Sequence, residues 1–167
     1  MGGRPDLVIR SYRTNDAKAL GVIFHRAVHE GAAARYSPKE RRAWSPSVPD
    51  TASWRARLAE AETVVAETPE GPVGFMSLDV DRRYLDLAFV LPEAMGTGVA
   101  GSLYAVIESR ARASGLTRLT TEASLLAEPF FLRQGWRVVR RQKVERLGVM
   151  LSNALMEKDL NAGEAAA

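Results

Sequence analysis

Apolar residues run through this chain in short stretches, and proline or glycine closes almost every one. Leu7–Tyr12 (LVIRSY) reads as a first strand. Ala19, Leu20, Ile23, Phe24 and Ala27 then recur at helical spacing, behind Thr14 or Asn15 as a cap. Pro38, Pro46 and Pro49 punctuate the stretch from Gly31 to Pro49. It predicts a short helix in SPKERRAW, with Ser37 capping and Pro38 at the first helical position. A second short helix is expected over Thr51–Glu60. Strands follow at Thr63–Glu67, at Val73–Val80 after the turn PEGP, and at Tyr84–Leu91 before Pro92. A glycine-rich loop, GTGVAG, opens a long helix to about Ser114, which Gly115 stops. Leu119–Ala123 reads as a buried strand and Glu128–Gln134 as a helix ended by Gly135. Trp136–Leu160 reads as two long strands around Leu147 and Gly148. The order predicts an α/β fold, a mixed sheet with helices on its faces. One domain is expected over residues 1–160, followed by a disordered tail at 161–167.

Composition narrows the chemistry. The chain has 167 residues, enough to bury a core without staples. It contains no cysteine, which excludes disulfides, thiolate metal sites and a cysteine nucleophile. Its two histidines, His25 and His29, sit four apart, but HRAVH lacks the glutamate of HExxH, and no metal is expected. The net charge is +3, with 23 basic residues interspersed among 20 acidic ones. No basic stripe marks a nucleic-acid face, so no nucleic-acid partner is expected. A mild positive balance suits a small polyanion. No apolar run reaches signal-peptide or membrane-spanning length, and Asp6 breaks the myristoylation pattern; a cytoplasmic protein without membrane contact is expected.

The most informative segment is DLAFVLPEAMGTGVAGSLYAVIESRAR. A strand ends at Pro92, a loop carries Gly96, Gly98 and Gly101, and a helix begins with Val99, Leu103, Val106 and Ile107 as its apolar stripe. Glycines at a helix N-terminus expose backbone N–H groups that the helix dipole makes more positive, which favours a phosphate or pyrophosphate. GTGVAG also matches GxGxxG, with Glu122 standing 21 residues after Gly101, near dinucleotide spacing. Yet Pro92, Glu93, Ala94 and Met95 separate the strand from the first glycine, and no Gly-Lys-Ser/Thr follows for a P-loop.

This segment resembles the acyl-CoA-binding motif of the GNAT superfamily of acetyl-CoA-dependent N-acetyltransferases. Val90 and Pro92 match the strand end, Gly98 and Ala100 the two small positions, and Leu103 the helix leucine. Met95 stands where Gln or Arg is usual, and Thr97 where Arg is common. Downstream, ASLLAEPFFLRQGWRVV resembles the next GNAT segment through Ala127, Phe130, Gly135 and Trp136, with Ser124 for its Asn and Phe131 for its Tyr. The resemblance implies a mostly antiparallel mixed sheet of about seven strands with helices on both faces. It implies acetyl-CoA as cosubstrate, held by Phe89, Val90, Leu91, Met95, Gly96, Thr97, Gly98, Val99, Ala100, Gly101, Ser102, Ser124 and Phe131.

Transfer to an amine requires the amine to lose a proton and the departing thiolate to gain one. Along YLDLAFVL, alternation places Leu85, Leu87, Phe89 and Leu91 on one face and Tyr84 and Asp86 with Ala88 and Val90 on the other. A lone carboxylate among apolar neighbours is expensive unless used or paired. Asp86 is therefore the candidate base or amine binder, with a structural carboxylate bonded to backbone or Arg as the competing reading. The resemblance implies a general-acid Tyr at the position of Phe131, which cannot donate a proton; that leaves water or another hydroxyl such as Tyr84 or Ser124 for the thiolate, or no acid at all. The expected acceptor is a primary amine on a small molecule, with Trp44 as a wall of its pocket. A protein or peptide amine, a non-catalytic acyl-CoA-binding protein and a dinucleotide oxidoreductase are the alternatives, and a homodimer is left open.

Overall fold

The computed structural model describes residues 6–161, so the tail expected at 161–167 lies outside the described residues except for its first position. Seven strands form one sheet in the order β1-β2-β3-β4-β5-β7-β6. They are β1 (Val8–Ser11), β2 (Glu62–Thr68), β3 (Gly71–Asp79), β4 (Tyr84–Val90), β5 (Arg118–Ser124), β6 (Arg137–Arg146) and β7 (Val149–Asp159). Every neighbouring pair is antiparallel except β4 and β5, which are parallel. The helices are α1 (Ala17–Arg26), α2 (Pro38–Trp44), α3 (Ala52–Glu60), α4 (Val99–Ala113) and α5 (Glu128–Arg133).

The two sheet faces bury different partners, as alternation requires. Val64, Ala66, Met76 and Leu78 pack with Leu103, Tyr104 and Ile107 of α4. Val65 and Phe75 point the other way, onto Leu20 and Ile23 of α1 and Trp54 and Leu58 of α3. Gly74 lets α4 lie close on β3, because a Cβ there would come within 3.2 Å of Leu103 Cδ1 and 3.3 Å of the Phe89 carbonyl oxygen. Trp136 Nε1 donates to Tyr104 Oη at 2.9 Å, so two large buried rings satisfy their polar ends on each other.

The cap of α2 is the predicted one. Ser37 Oγ accepts from Glu40 N–H, Glu40 reaches back to Ser37 N–H at 2.8 Å, and Pro38 holds the first position. The cap of α1 is not. Thr14–Asp16 forms one 3-10 turn ahead of α1, whose N-terminus has no side-chain cap; Asp16 instead accepts from Arg13 N–H at 2.8 Å while Arg10 clamps its carboxylate. Burial alone would raise the Asp16 pKa; these hydrogen bonds outweigh it and hold the carboxyl below its usual value. α1 continues into a π-helical turn, Ala27–Gly31. At the β6–β7 hairpin Leu147 and Gly148 both have positive φ, 47° and 78°, which matches the right-handed twist of the strands they join.

Two irregularities make the site. The β3–β4 register pairs Leu78 with Leu85 but Ser77 with Leu87, so Asp86 is an extra residue in β4. The expected face of four residues is accordingly split: Leu85 joins Ala88 and Val90 against the α4 side, while Leu87 and Phe89 face α1 and α3. The parallel β4–β5 pairing is confined to Tyr84 and Thr120, supported by Thr121 Oγ1 donating to the Leu85 carbonyl at 2.7 Å. Beyond that point the central strands part and leave a crevice.

Candidate active site

The crevice is entered from two sides. On one side a cleft of about 420 Å³ runs from the glycine loop along β4 to α5, lined by Met76, Ala88, Phe89, Val90, Met95, Gly98, Ser124, Phe130 and Phe131 among others. On the other lies a more polar pocket of about 380 Å³, bounded by Phe24, Tyr36, Trp44, Arg57, Tyr84, Asp86, Glu122, Arg146 and Asn153 among others. Trp44, Phe89 and Ser124 line both. A larger groove of about 570 Å³ at the far end of β5 and β7 shares no residue with either. Its Glu157 is already ion-paired to Arg118 and Arg137.

The glycine loop fits a phosphate group. Pro92–Ala94 forms a 3-10 turn, and Gly96 and Gly98 then adopt φ of 74° and 90°, values that L side chains rarely take. The first bond into α4 runs from Ser102 N–H to the Gly98 carbonyl at 3.1 Å. The N–H groups of Val99, Ala100 and Gly101 therefore precede the helical ladder, at the positive end of its dipole. A Cβ added at Gly96, Gly98 or Gly101 would meet nothing within 4 Å, so the loop presents bare backbone to the cleft.

The expected cofactor residues fall into two groups. Phe89, Val90, Met95, Gly96, Gly98, Ala100, Gly101, Ser124 and Phe131 line the cleft. Leu91, Thr97, Val99 and Ser102 do not. Val99 turns its side chain into the core, Thr97 Oγ1 donates to the Ala94 carbonyl, and Leu91 N–H is tied to Val73. Met95, which stands at the usual Gln/Arg position, lays its methyl against Gly31 and so forms part of the cleft's apolar wall. Arg133 is the cation in the lining, and it makes no ion pair among the described residues. It lies three residues after Phe130 in FFLRQG, a signal the aromatic positions alone do not carry.

Asp86 and Tyr84 both line the polar pocket, and neither lines the glycine-loop cleft. Arg57 of α3 holds Asp86 in a bidentate pair, at 2.7 and 2.9 Å. Its hydrogen bonds to the Asp86 carboxylate raise the Arg57 pKa above its usual value. Because the Arg57 side chain is 49% exposed, the pair adds little to stability, and its value is geometric. Sequence reasoning misses Arg57, since nothing in α3 signals a partner across the sheet. Burial, then the charges of Glu122 and Asp86, push the Tyr84 phenol above its ordinary value and keep it protonated at neutral pH. Glu122, on β5, makes no ion pair among the described residues.

Tyr36 Oη donates to the Ser152 carbonyl and accepts from Leu125 N–H at 2.9 Å, tying the turn before α2 to β7 and to the residue that follows β5. The histidines serve the same region. His25 Nδ1 lies 2.7 Å from Ser45 Oγ and His29 Nε2 donates to the Ser45 carbonyl at 2.7 Å, which anchors the residue after Trp44. Among the described residues, no cluster of three or more His, Asp or Glu is arranged to hold a metal, and no helix is long and apolar enough to cross a membrane.

Known proteins resemble the chain over most of its length. The chain is 37% identical over 152 residues to the uncharacterised N-acetyltransferase YafP of Escherichia coli K12, covering 90% of this chain and 95% of that one. It is 28% identical over 143 residues to the peptidyl-lysine N-acetyltransferase YjaB of Salmonella typhimurium, covering 84% and 90% respectively. A crystal structure from Rhodopseudomonas palustris, described as a GCN5-related N-acetyltransferase (aminotransferase, class II), superimposes with a TM-score of 0.88 at 31% identity, covering 95% of this chain and 99% of that one. Residues 32–160 match the family described as the acetyltransferase (GNAT) domain, and the chain belongs to that family of N-acetyltransferases.

Proposed function

We propose that the chain transfers the acetyl group of acetyl-CoA to a primary amine on a small molecule. One observation carries this reading. The apolar cleft behind the glycine loop and the polar pocket under α2 meet at Trp44, Phe89 and Ser124. Acetyl-CoA would lie with its phosphates on the backbone of Gly96–Gly101 and its acyl arm along β4, so that the thioester reaches that junction. The amine nitrogen attacks the thioester carbonyl carbon there, the C–S bond breaks, and the thiolate leaves with the cofactor.

Asp86, fixed by Arg57, is the group we assign to hold the amine and take its proton. Its bidentate pairing aims the carboxylate. Phe131 is 1% exposed within an aromatic cluster and supplies no proton. Tyr84 keeps its proton at neutral pH but faces the acceptor side. Ser124 stands at the junction itself. Its Oγ accepts from Ala127 N–H at 3.1 Å, which leaves its O–H free to donate to a departing thiolate.

A peptide lysine is the second reading, favoured by the name of one relative. The walls contributed by α2, through Trp44, and by the β6–β7 hairpin, through Val144 and Arg146, favour a compact acceptor. Steady-state acetylation of a panel of small primary amines and of lysine-containing peptides separates the two. The small-amine reading predicts the higher kcat/KM among the free amines. A peptide that outperforms every free amine overturns it.

A further inference from the structure

We infer that the acceptor is a zwitterion: an amine that also carries a carboxylate or similar anion, on an apolar body, as in an α-amino acid with an apolar side chain. This rests on the small-amine reading above and names the class of that amine. The acceptor pocket is lined by three arginines, Arg57, Arg82 and Arg146, and by two carboxylates, Asp86 and Glu122. A pocket built for a polyamine or a simple cationic amine would carry an excess of carboxylates, since every unneutralised arginine opposes a like charge at short range.

The internal pairing leaves cations over. Arg57 and Asp86 neutralise one another at 2.7 Å. Arg82 reaches Asp79 only at 3.9 Å and otherwise stacks over the Tyr84 ring, 4.7 Å from its centroid. Arg146 donates to the Glu145 carbonyl at 3.0 Å and makes no ion pair among the described residues. Glu122 likewise has no ion-pair partner among them, and Asn153 Oδ1 is buried without a hydrogen-bond donor. The pocket therefore offers an ammonium its acceptors, Glu122, Asp86 and Asn153, and an anion its donors, Arg146 and Arg82.

The order of these groups fits one molecule. The amine must reach the junction with the cofactor cleft, at Ser124. Glu122 is two residues before Ser124 on β5, so the two share a face of the strand. Arg82 precedes β4 and Arg146 ends β6, both exposed at the pocket rim. Phe24, Leu87 and Leu151 line the same pocket beside Trp44 and Phe89 of the junction and give an apolar body a surface to pack on, next to the polar groups of Tyr36, Tyr84 and Ser152. At about 380 Å³ the pocket suits a molecule of amino-acid size.

The test compares matched pairs of acceptors: phenylalanine with phenethylamine, and leucine with isoamylamine, at fixed acetyl-CoA. The inference predicts that kcat/KM for each amino acid exceeds that of its decarboxylated partner by at least about tenfold, the difference lying in KM. In Arg146→Gln with Arg82→Gln, exposed changes that leave the core untouched, the ratio should fall towards one. A wild-type ratio at or below one overturns the inference while the small-amine reading stands, as does a ratio that survives both substitutions. Acetylation confined to lysyl peptides overturns both.

Discussion

Asp86 owes its place to one extra residue in β4. In an unbroken strand it would share a face with Ala88 and Val90, which pack towards α4. The bulge instead presents its carboxylate to Arg57 of α3, beside the pocket where an acceptor would lie. The bulge is not legible in YLDLAFVL, where Leu87–Leu91 is a continuous apolar run that marks no slip between the two faces. The carboxylate is legible as an anomaly among apolar neighbours, but its partner is not. If Asp86 takes the proton of the amine, Asp86→Asn should reduce kcat by roughly 10²–10⁴-fold at neutral pH while acetyl-CoA affinity holds. The sign with pH follows from the acceptor. An alkyl ammonium with a pKa of about 10 is increasingly neutral as pH rises, so the deficit should shrink on the alkaline side. A stably folded Asn variant with the parental rate at neutral pH removes Asp86 from the chemistry and leaves it as the anchor of Arg57.

At the scale of elements, the glycine loop and the start of α4 act as one unit. The loop is legible in the sequence because three glycines within six residues, next to a helix start, weaken the helix unless bare backbone is needed there. The structure adds which of them can be tested cleanly. Gly96 and Gly98 have positive φ, so a side chain at either strains the loop whatever it does to a ligand. Gly101 lies in the first turn of α4 without positive φ, lines the cleft, and has open space where a Cβ would stand. Gly101→Leu should therefore keep or slightly raise helix stability while filling the cradle. Calorimetry should show acetyl-CoA affinity reduced by about tenfold or more, which corresponds to roughly 1.4 kcal/mol. Unchanged affinity in the folded variant would place the phosphates elsewhere. The cap of α2 is equally legible, because Ser37 and Pro38 are local signals. The start of α1 is not, for the opposite reason: Asp16 is recruited by Arg10, a residue of the preceding strand, and no local pattern announces that clamp.

Across the whole molecule, element order is recoverable because proline and glycine close the runs, and the seven-strand sheet follows the expected series. What a sequence of elements does not state is where a sheet opens. β4 and β5 share one register pair, and the crevice beyond it lies between the glycine-loop cleft and the polar pocket. Ser124, Phe89 and Trp44 come from β5, β4 and α2, and only the folded chain sets them side by side. The proposed function requires that junction to be a place of transfer as well as of binding. The direct test follows free coenzyme A thiol and acetylated amine together, in one reaction with acetyl-CoA and the amine panel. Transfer at the junction predicts amine-dependent thiol release matched one-to-one by acetylated product. Tight acetyl-CoA binding with no amine-dependent thiol release from any acceptor would contradict it, and would make the two clefts a binding site alone.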